Sequence, residues 1–285
     1  MLQAYLQLYR VKPIGLIMSM VLFAHVYALN ETGLTFRWGP AIFLFLSTAV
    51  ANAAVFALNQ YYERDADAKM ERTKSRPIPS GQISPRFALV SGLTLFLLAV
   101  LSQVVLINLN TAIATFVCGA LYVWTYTPLK NKSSLSTLIG SLPGATLPFI
   151  GWYSVTQGPD LMIIWMSIMI FLWQTPHTFA IVYRYKKQFE AAGGKQLELV
   201  AGEEASFRQT AWYTVVNFPL ILIPAVFKVS GSTYVAIAVL FTILATVLMV
   251  GFYKKRTEQT ARRYFFFMLS YLPVLFTFMA WNRVT

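Results

Sequence analysis

The chain has 285 residues, of which 57% are hydrophobic and only 12% charged, and its mean hydropathy is +0.57. A soluble domain cannot bury so much apolar surface, and apolar stretches of about 20 residues, long enough to cross a bilayer as helices, recur along the chain. Soluble, fibrous and disordered classes are therefore excluded. The net charge of +12 points first to membrane topology, since the sequence has no nucleic-acid recognition motif.

Apolar windows predict an all-α, polytopic membrane protein with about nine transmembrane helices around a central cavity. The predicted helices cover residues 14–30, 39–58, 87–106, 110–128, 135–156, 161–182, 211–229, 233–252 and 264–281. We expect residues 1–285 to form a single membrane domain. Loop lengths and charges suggest a weak tandem repeat of four helices, over 14–130 and 135–256, with 264–281 as a ninth helix. If the repeat is real, two long loops, 59–86 and 184–209, face each other over the cavity.

The basic residues are distributed very unevenly between the two sides of this predicted topology. All but three of the 23 Lys and Arg residues lie on one side, and the three exceptions are Arg37, Lys228 and Arg283. The positive-inside rule therefore predicts a cytoplasmic N-terminus and an external C-terminus. The basic start and first apolar run could imitate a cleaved secretory signal, although Pro13 and His25 are unusual in one.

Polar residues crowd together where the second predicted helix ends. Asn59, Glu63, Asp67 and Glu71 are spaced by four, so on a continuing helix they form one acidic stripe, while Asp65 points to the opposite side. Carboxylate and amide oxygens on one face are suitable ligands for Mg²⁺, which usually also binds water and phosphate. Such a stripe at a membrane boundary is costly unless it faces water or an ion.

Basic residues that suit phosphate follow this stripe at once. Arg72, Lys74 and Arg76 provide planar guanidinium groups and a point charge for phosphate oxygens. Metal-binding carboxylates followed by these cations predict a diphosphate site. The alternative from physics alone is a solvated amphipathic extension whose charges pair with each other.

Two further clusters contain polar or helix-breaking residues within apolar segments. In the sixth predicted helix, Gln174 and His177 flank Pro176, which should leave backbone carbonyls that line a cavity. His177 could hold a proton, a substrate group or an iron, or it could be an ordinary interhelical hydrogen-bond partner. The segment from Tyr126 to Lys130 and the Gly and Pro residues of the fifth helix fit either close helix packing or a broken backbone beside a cavity.

Together, in this order, the three clusters resemble the heme O synthases (protoheme IX farnesyltransferases) of the UbiA-like intramembrane prenyltransferases, over nearly the whole chain. The residues that carry the resemblance are Asn59, Glu63, Asp65, Asp67, Met70, Arg72-Thr73, Arg76-Pro77, Gly81, Tyr126-Thr127-Pro128-Leu129-Lys130, Pro143-Gly144-Ala145, Gly151-Trp152 and Trp173-Gln174-Thr175-Pro176-His177.

The sequence departs from that family at its second acidic motif. Where the family usually has an acidic residue followed by Tyr, this chain has Lys186-Lys187-Gln188-Phe189. A shifted register could supply a second metal ligand from Glu190, Glu198, Glu203 or Glu204. Alternatively, Lys186 and Lys187 contact the diphosphate directly, with one Mg²⁺ in place of two.

The resemblance implies transfer of the farnesyl group of farnesyl diphosphate to a vinyl group of heme b, with Mg²⁺ as cofactor. It implies that Asn59, Glu63 and Asp67 are the catalytic, metal-binding residues. The predicted substrate-binding residues are Asp65, Arg72, Lys74, Arg76, Tyr126, Lys130, Trp173, Gln174, His177 and Lys187.

The expected location is a bacterial inner membrane, with the site facing the cytoplasm and with heme A synthase or terminal oxidase assembly proteins as potential partners. Two alternatives stay open. One is a UbiA-like enzyme with a different acceptor, such as a quinone or chlorophyll precursor. The other is a non-catalytic heme or lipid carrier, in which the acidic stripe would be dispensable and His177 essential.

Overall fold

The computed structural model describes residues 1–281, and over that range it contains helices and no β-strand. In chain order the first elements are α1 (Leu2–Leu8), α2 (Val11–Thr32), α3 (Trp38–Asp67), α4 (Pro85–Leu106), α5 (Leu109–Ala120), a π-helix (Leu121–Tyr126) and α6 (Thr127–Leu129). The following elements are α7 (Ser136–Ile139), α8 (Ser141–Ala145), α9 (Leu147–Tyr153), α10 (Leu161–Arg184), α11 (Lys186–Ala191), α12 (Leu197–Val200), α13 (Gly202–Leu220), α14 (Ile223–Val226), α15 (Ser232–Lys255) and α16 (Glu258–Trp281).

Within this described range, eight helices are long and apolar enough to cross a membrane. They correspond to eight of the nine predicted helices, and the remaining one, the fifth predicted helix at residues 135–156, is replaced by the three short helices α7, α8 and α9. The all-α, multi-pass membrane fold predicted from the sequence is thus confirmed, with a count close to nine. The single domain and its tandem repeat stay predictions.

Small residues explain the broken segment, because α9 lies directly against α2. A Cβ atom placed on Gly151 would lie 2.1 Å from the Val21 carbonyl oxygen and 2.8 Å from the His25 amide nitrogen. Backbones approach this closely only where one of them has no side chain. Pro143 and Pro148 lie in the same segment, where proline interrupts the helical hydrogen-bond ladder.

Several predicted helix ends differ from the structure, and two of them show why. The second predicted helix ends at residue 58, whereas α3 continues to Asp67, and the seventh begins at 211, whereas α13 begins at Gly202. In both places the helix runs beyond its apolar part into a polar segment. Hydropathy marks where the lipid-facing part ends, while backbone hydrogen bonds decide where the helix ends.

The helices surround a cavity of about 400 Å³. Its wall is mostly apolar and comes from α2, α3, α4, α5, the π-helix, the broken segment α7–α9, α10 and α16. Asn52 and Phe56 of α3 line the cavity, as do Tyr122 of the π-helix and His177 of α10. The apolar cavity therefore lies directly beside the polar end of α3.

The two long loops contact each other at that same end of the bundle. The Arg72 amide donates a hydrogen bond of 3.0 Å to the Gln188 side-chain oxygen, and the Arg72 guanidinium lies over the rings of Tyr185 and Phe189. Met70 and Phe189 belong to one small buried apolar cluster. The two long loops thus pack against each other near the end of α3.

Candidate active site

The polar end of α3 continues the helix face that lines the cavity. From Asn52 and Phe56, the helical repeat places Asn59, Glu63 and Asp67 within about 80° around the helix axis. Asn59 and Asp67 are buried, and the Glu63 side chain is only 10% exposed. The predicted stripe therefore exists, but with three members.

The fourth expected member of the stripe, Glu71, lies elsewhere. The helix ends at Asp67, and Glu71 is in a turn, where its carboxylate is exposed and lies 2.7 Å from the Lys74 ammonium. The spacing argument assumed a helix that continues for another turn. A short irregular loop begins at Ala68 instead, so Glu71 and Lys74 lie at the surface.

Two basic side chains contact the carboxylates of the stripe. The Lys130 ammonium lies 2.9 Å from Glu63, and the Arg76 guanidinium lies 2.5 Å from Asp67 and 3.9 Å from Glu63. These groups are all largely buried, so their attraction is much less screened than at a surface. We call Glu63, Asp67, Arg76 and Lys130 the charged cluster.

The donor atoms of this region are of the kinds that Mg²⁺ prefers. Asp67 Oδ1 is buried and has no hydrogen-bond partner among the described residues. Asn59 uses its amide NH₂ to donate to the Thr127 hydroxyl at 3.1 Å, which leaves its amide oxygen as a possible ligand. Residues 1–281 bring no three His, Cys, Asp or Glu side chains together as a metal centre, so the candidate donor set is two carboxylates and an amide, completed by water or phosphate.

The π-helix brings Asn59 and the cavity together. Thr127, directly after it, accepts the bond from Asn59 and donates 2.8 Å to the Tyr122 carbonyl. Tyr122 lines the cavity, and the Tyr126 ring packs against Gly140, where an added Cβ would lie 2.7 Å away. Single π turns within α-helices are frequent at functional sites because they change the direction of the side chains that follow.

The remaining predicted diphosphate ligands lie further from the carboxylates. Arg72 is exposed and packs on two aromatic rings of the second loop. Lys187 is exposed on α11, and Asp65 is exposed on the other side of α3, with Arg64 at 3.9 Å. The structure thus brings Arg76 and Lys130 to the carboxylates, but not Asp65, Lys74 or Lys187.

The predicted cluster of α10 lies at the cavity, and the helix continues through Pro176. Trp173, Gln174 and His177 all line the cavity. The Trp173 indole donates to the Met268 carbonyl at 2.7 Å, so its N–H is used within the protein. The His177 ring lies between the rings of Trp173 and Phe265, with centroid distances of 4.6 and 4.7 Å. His177 Nδ1 is buried without a partner among the described residues.

The four Glu residues considered for the altered second motif have different environments. Glu203 pairs with Lys186 at 3.0 Å, Glu204 pairs with Arg256 at 2.6 Å, and Glu190 is exposed. Glu198 is 4% exposed and accepts a 3.0 Å hydrogen bond from the Thr137 hydroxyl. Burial raises the pKa of Glu198 above the ordinary carboxylate value.

Comparison with known proteins identifies the family. Residues 17–271 match the UbiA prenyltransferase family. A protoheme IX farnesyltransferase of Myxococcus xanthus is 38% identical over 245 residues, which cover 86% of this chain and 83% of the relative. The relative of the same name from Neorickettsia sennetsu is 35% identical over 229 residues, covering 80% and 75% of the two chains.

Solved structures agree in fold. A digeranylgeranylglyceryl phosphate synthase structure superimposes with a TM-score of 0.77 at 17% identity, covering 99% of this chain and 98% of that one. A UbiA homologue from Archaeoglobus fulgidus, bound to DMAPP and Mg²⁺, gives a TM-score of 0.69 at 16% identity, covering 96% and 99%.

The family match and the named relatives confirm the resemblance inferred from the motifs. The match spans most of the chain, including α3 and α10 with their two clusters. This multi-pass membrane protein belongs to the UbiA prenyltransferase family.

Proposed function

We propose that this chain transfers the farnesyl group of farnesyl diphosphate to a vinyl group of heme b, giving heme O with a hydroxyethylfarnesyl side chain. The observation that carries the proposal is the charged cluster, in which Asp67 Oδ1 has no hydrogen-bond partner among the described residues, at the polar end of a helix face that lines an apolar cavity. The relatives named protoheme IX farnesyltransferase support the choice of donor and acceptor.

The diphosphate end of the donor binds at the charged cluster. Asn59, Glu63 and Asp67 would hold Mg²⁺, which when bound supplies positive charge to the diphosphate oxygens. Arg76 and Lys130, which contact these carboxylates, are placed to donate to the same oxygens. In the reaction the C–O bond breaks and its electron pair leaves with the diphosphate, so these cations stabilise the charge that develops.

The cavity provides the environment for the allylic cation. Aromatic rings of Phe56, Tyr122 and Trp173 line it, and ring faces attract cations while the apolar wall excludes water. The vinyl π electrons of the porphyrin form the new carbon–carbon bond. The positive charge then lies on the vinyl carbon next to the macrocycle, where a water adds and loses a proton.

We assign acceptor binding to the α10 cluster. Gln174 and His177 are polar side chains on the cavity wall, and the buried Nδ1 of His177 has no partner within residues 1–281. A polar group in this position is costly unless it meets a ligand, another helix or water. His177 is therefore the residue through which we expect the chain to orient heme.

The cellular setting follows from the charge distribution. We propose a bacterial inner membrane, with the N-terminus in the cytoplasm, the C-terminus outside and the charged cluster facing the cytoplasm. Basic residues crowd the loops at that end of the bundle, and the positive-inside rule places such loops in the cytoplasm. Heme A synthase or the proteins that assemble terminal oxidases would receive the product.

The decisive test is production of heme O in bacterial membranes that lack their own heme O synthase. Extracted hemes are separated by chromatography and identified by mass. We expect heme O from the wild type, and at least a hundredfold less from Asp67→Asn and from Glu63→Gln. Glu71→Gln is the matched control, because it removes a carboxylate from the same region that the structure places at the surface.

The outcomes separate the alternatives. Wild-type yield from Asp67→Asn would refute the metal-binding role of the acidic face. If the inserted wild type makes no heme O but still binds heme, and if binding is lost in His177→Ala alone, the protein is a carrier. If it consumes farnesyl diphosphate with a quinone precursor instead, the acceptor is wrong while the donor site stands.

A further inference from the structure

Arg10 is a basic residue of the cavity that the sequence motifs did not single out. It lies between α1 and α2, is half-buried and lines the cavity. Its guanidinium lies 5.6 Å from the centroid of the Phe56 ring. In the part of the chain that the structure describes, no carboxylate comes within ion-pair distance of Arg10. From sequence, a cation just before the first apolar span is explained by topology alone.

Contacts from neighbouring helices fix the segment that carries Arg10. Gln60 is fully buried, and its amide donates to the carbonyls of Gln7 and Leu8 at 2.9 and 2.7 Å. Gln60 directly follows Asn59 on α3, so the end of α1 is tied to the helix that carries the acidic face. The Tyr9 hydroxyl also donates to Ser91 of α4 at 3.1 Å.

The backbone at Arg10 is itself unusual. Its φ of +46° lies in the left-handed region, which residues other than glycine rarely adopt. A strained residue persists only where its surroundings determine its conformation. The hydrogen bonds of Gln60 and Tyr9 fix the backbone that precedes Arg10. They thereby hold its guanidinium at the cavity wall.

The region around the charged cluster contains more positive than negative charge. Arg76 and Lys130 contact the two carboxylates, Glu63 and Asp67, and Arg10 adds a third cation on the cavity wall beside Phe56. Cations that crowd together in a partly buried pocket favour an anionic ligand, because its charge removes the repulsion between them.

We propose that Arg10 is a further substrate-binding residue, which donates from its guanidinium to the diphosphate of the prenyl donor. The assignment rests on the proposed function for its ligand. A guanidinium presents two parallel N–H groups that match phosphate oxygens. With the diphosphate between Arg10 and Arg76, the prenyl chain passes Phe56 and enters the apolar cavity.

The test uses the full-length protein, purified in detergent, and inorganic pyrophosphate with Mg²⁺ as the probe. Binding is measured by titration calorimetry. We expect Arg10→Gln to weaken pyrophosphate binding by about tenfold or more, as loss of a charge-assisted hydrogen bond does. Arg10→Lys should recover part of the affinity, since it keeps the charge but loses the planar fork.

Arg86→Gln is the matched control. Arg86 is an exposed arginine at the start of α4, on the same predicted side of the membrane, so this variant removes equal net charge away from the cavity. We expect its pyrophosphate affinity to equal that of the wild type. Thermal unfolding of all four proteins then separates a binding defect from a folding defect.

A second titration, with heme b followed by absorbance, separates the two possible sources of the anion. Unchanged pyrophosphate affinity in a folded Arg10→Gln variant would overturn the proposal, and weaker heme binding in the same variant would assign Arg10 to a carboxylate of the acceptor instead. The proposed function can fail independently. If the wild type binds pyrophosphate through Arg10 but makes no heme O, the proposal for Arg10 stands and only the proposed acceptor is wrong.

Discussion

Lys130 and Lys132 lie two residues apart after α6, but within the described residues only Lys130 contacts a carboxylate. Its ammonium also lies 5.8 Å from the Tyr126 ring centroid and 5.9 Å from that of Phe189. The aromatic rings and Glu63 together hold one flexible side chain at the site. Lys132 is exposed, so two lysines of identical chemistry differ only in their surroundings.

This difference between the two lysines gives a prediction about the binding of farnesyl diphosphate. We expect Lys130→Met to raise the KM for farnesyl diphosphate by about tenfold or more, because a charge-assisted donor to the diphosphate is lost. Lys132→Met should leave KM unchanged. Initial rates of heme O formation against donor concentration provide the measurement, and equal KM values for the two variants would remove Lys130 from the site.

Glu198 gives a prediction about pH. Its folded-state pKa is raised by burial, so the folded protein binds this proton more tightly than the unfolded chain does. The associated stability is present at low pH and is lost as pH rises through the raised pKa. We therefore expect the wild-type unfolding temperature to fall, relative to that of Glu198→Gln, as the pH rises above the ordinary carboxylate pKa. A constant difference between the two proteins as the pH rises would contradict the prediction.

At the scale of elements, the close contact between α2 and α9 depends on the absence of a Cβ atom at Gly151. Gly151→Ala places a methyl group against the backbone of α2, and overpacking of this kind costs about 1–3 kcal/mol. Gly158→Ala is the control, because no atom of the described residues lies within 4 Å of the added Cβ. We expect a lower unfolding temperature for the first variant alone. A wild-type value for Gly151→Ala would show that α2 and α9 separate easily.

Some elements could be predicted from the sequence and others could not. Helical spacing was sufficient to place Asn59, Glu63 and Asp67 on one face of α3, because a regular helix repeats its geometry. Glu71 was misplaced because nothing in the sequence marks the end of α3 at Asp67. The sequence contains no signal for the π-helix, because Leu121–Tyr126 is as apolar and aromatic as an ordinary transmembrane turn. Arg10 was missed because a cation that sets topology and one that binds a ligand look the same in sequence.

For the molecule as a whole, the broken segment α7–α9 decides the relation between the two termini. If it crosses the membrane as a ninth unit, the crossings are odd in number and the termini lie on opposite sides. We expect a fluorescent protein fused at the N-terminus to mature in the cytoplasm, and alkaline phosphatase fused at the C-terminus to be active outside. Inactive phosphatase at a stable C-terminal fusion would place both termini on one side and the broken segment within one half of the bilayer.

The stacking around His177 restricts how a flat macrocycle can approach it. Trp173 and Phe265 cover the two faces of the imidazole at interplanar angles of 19° and 27°. A porphyrin therefore cannot lie parallel on this ring, and only the rim of the imidazole, where its nitrogens are, can meet an acceptor. Of the chemical roles open to this histidine, those that act through a lone pair or an N–H remain, and π-stacking with the substrate does not.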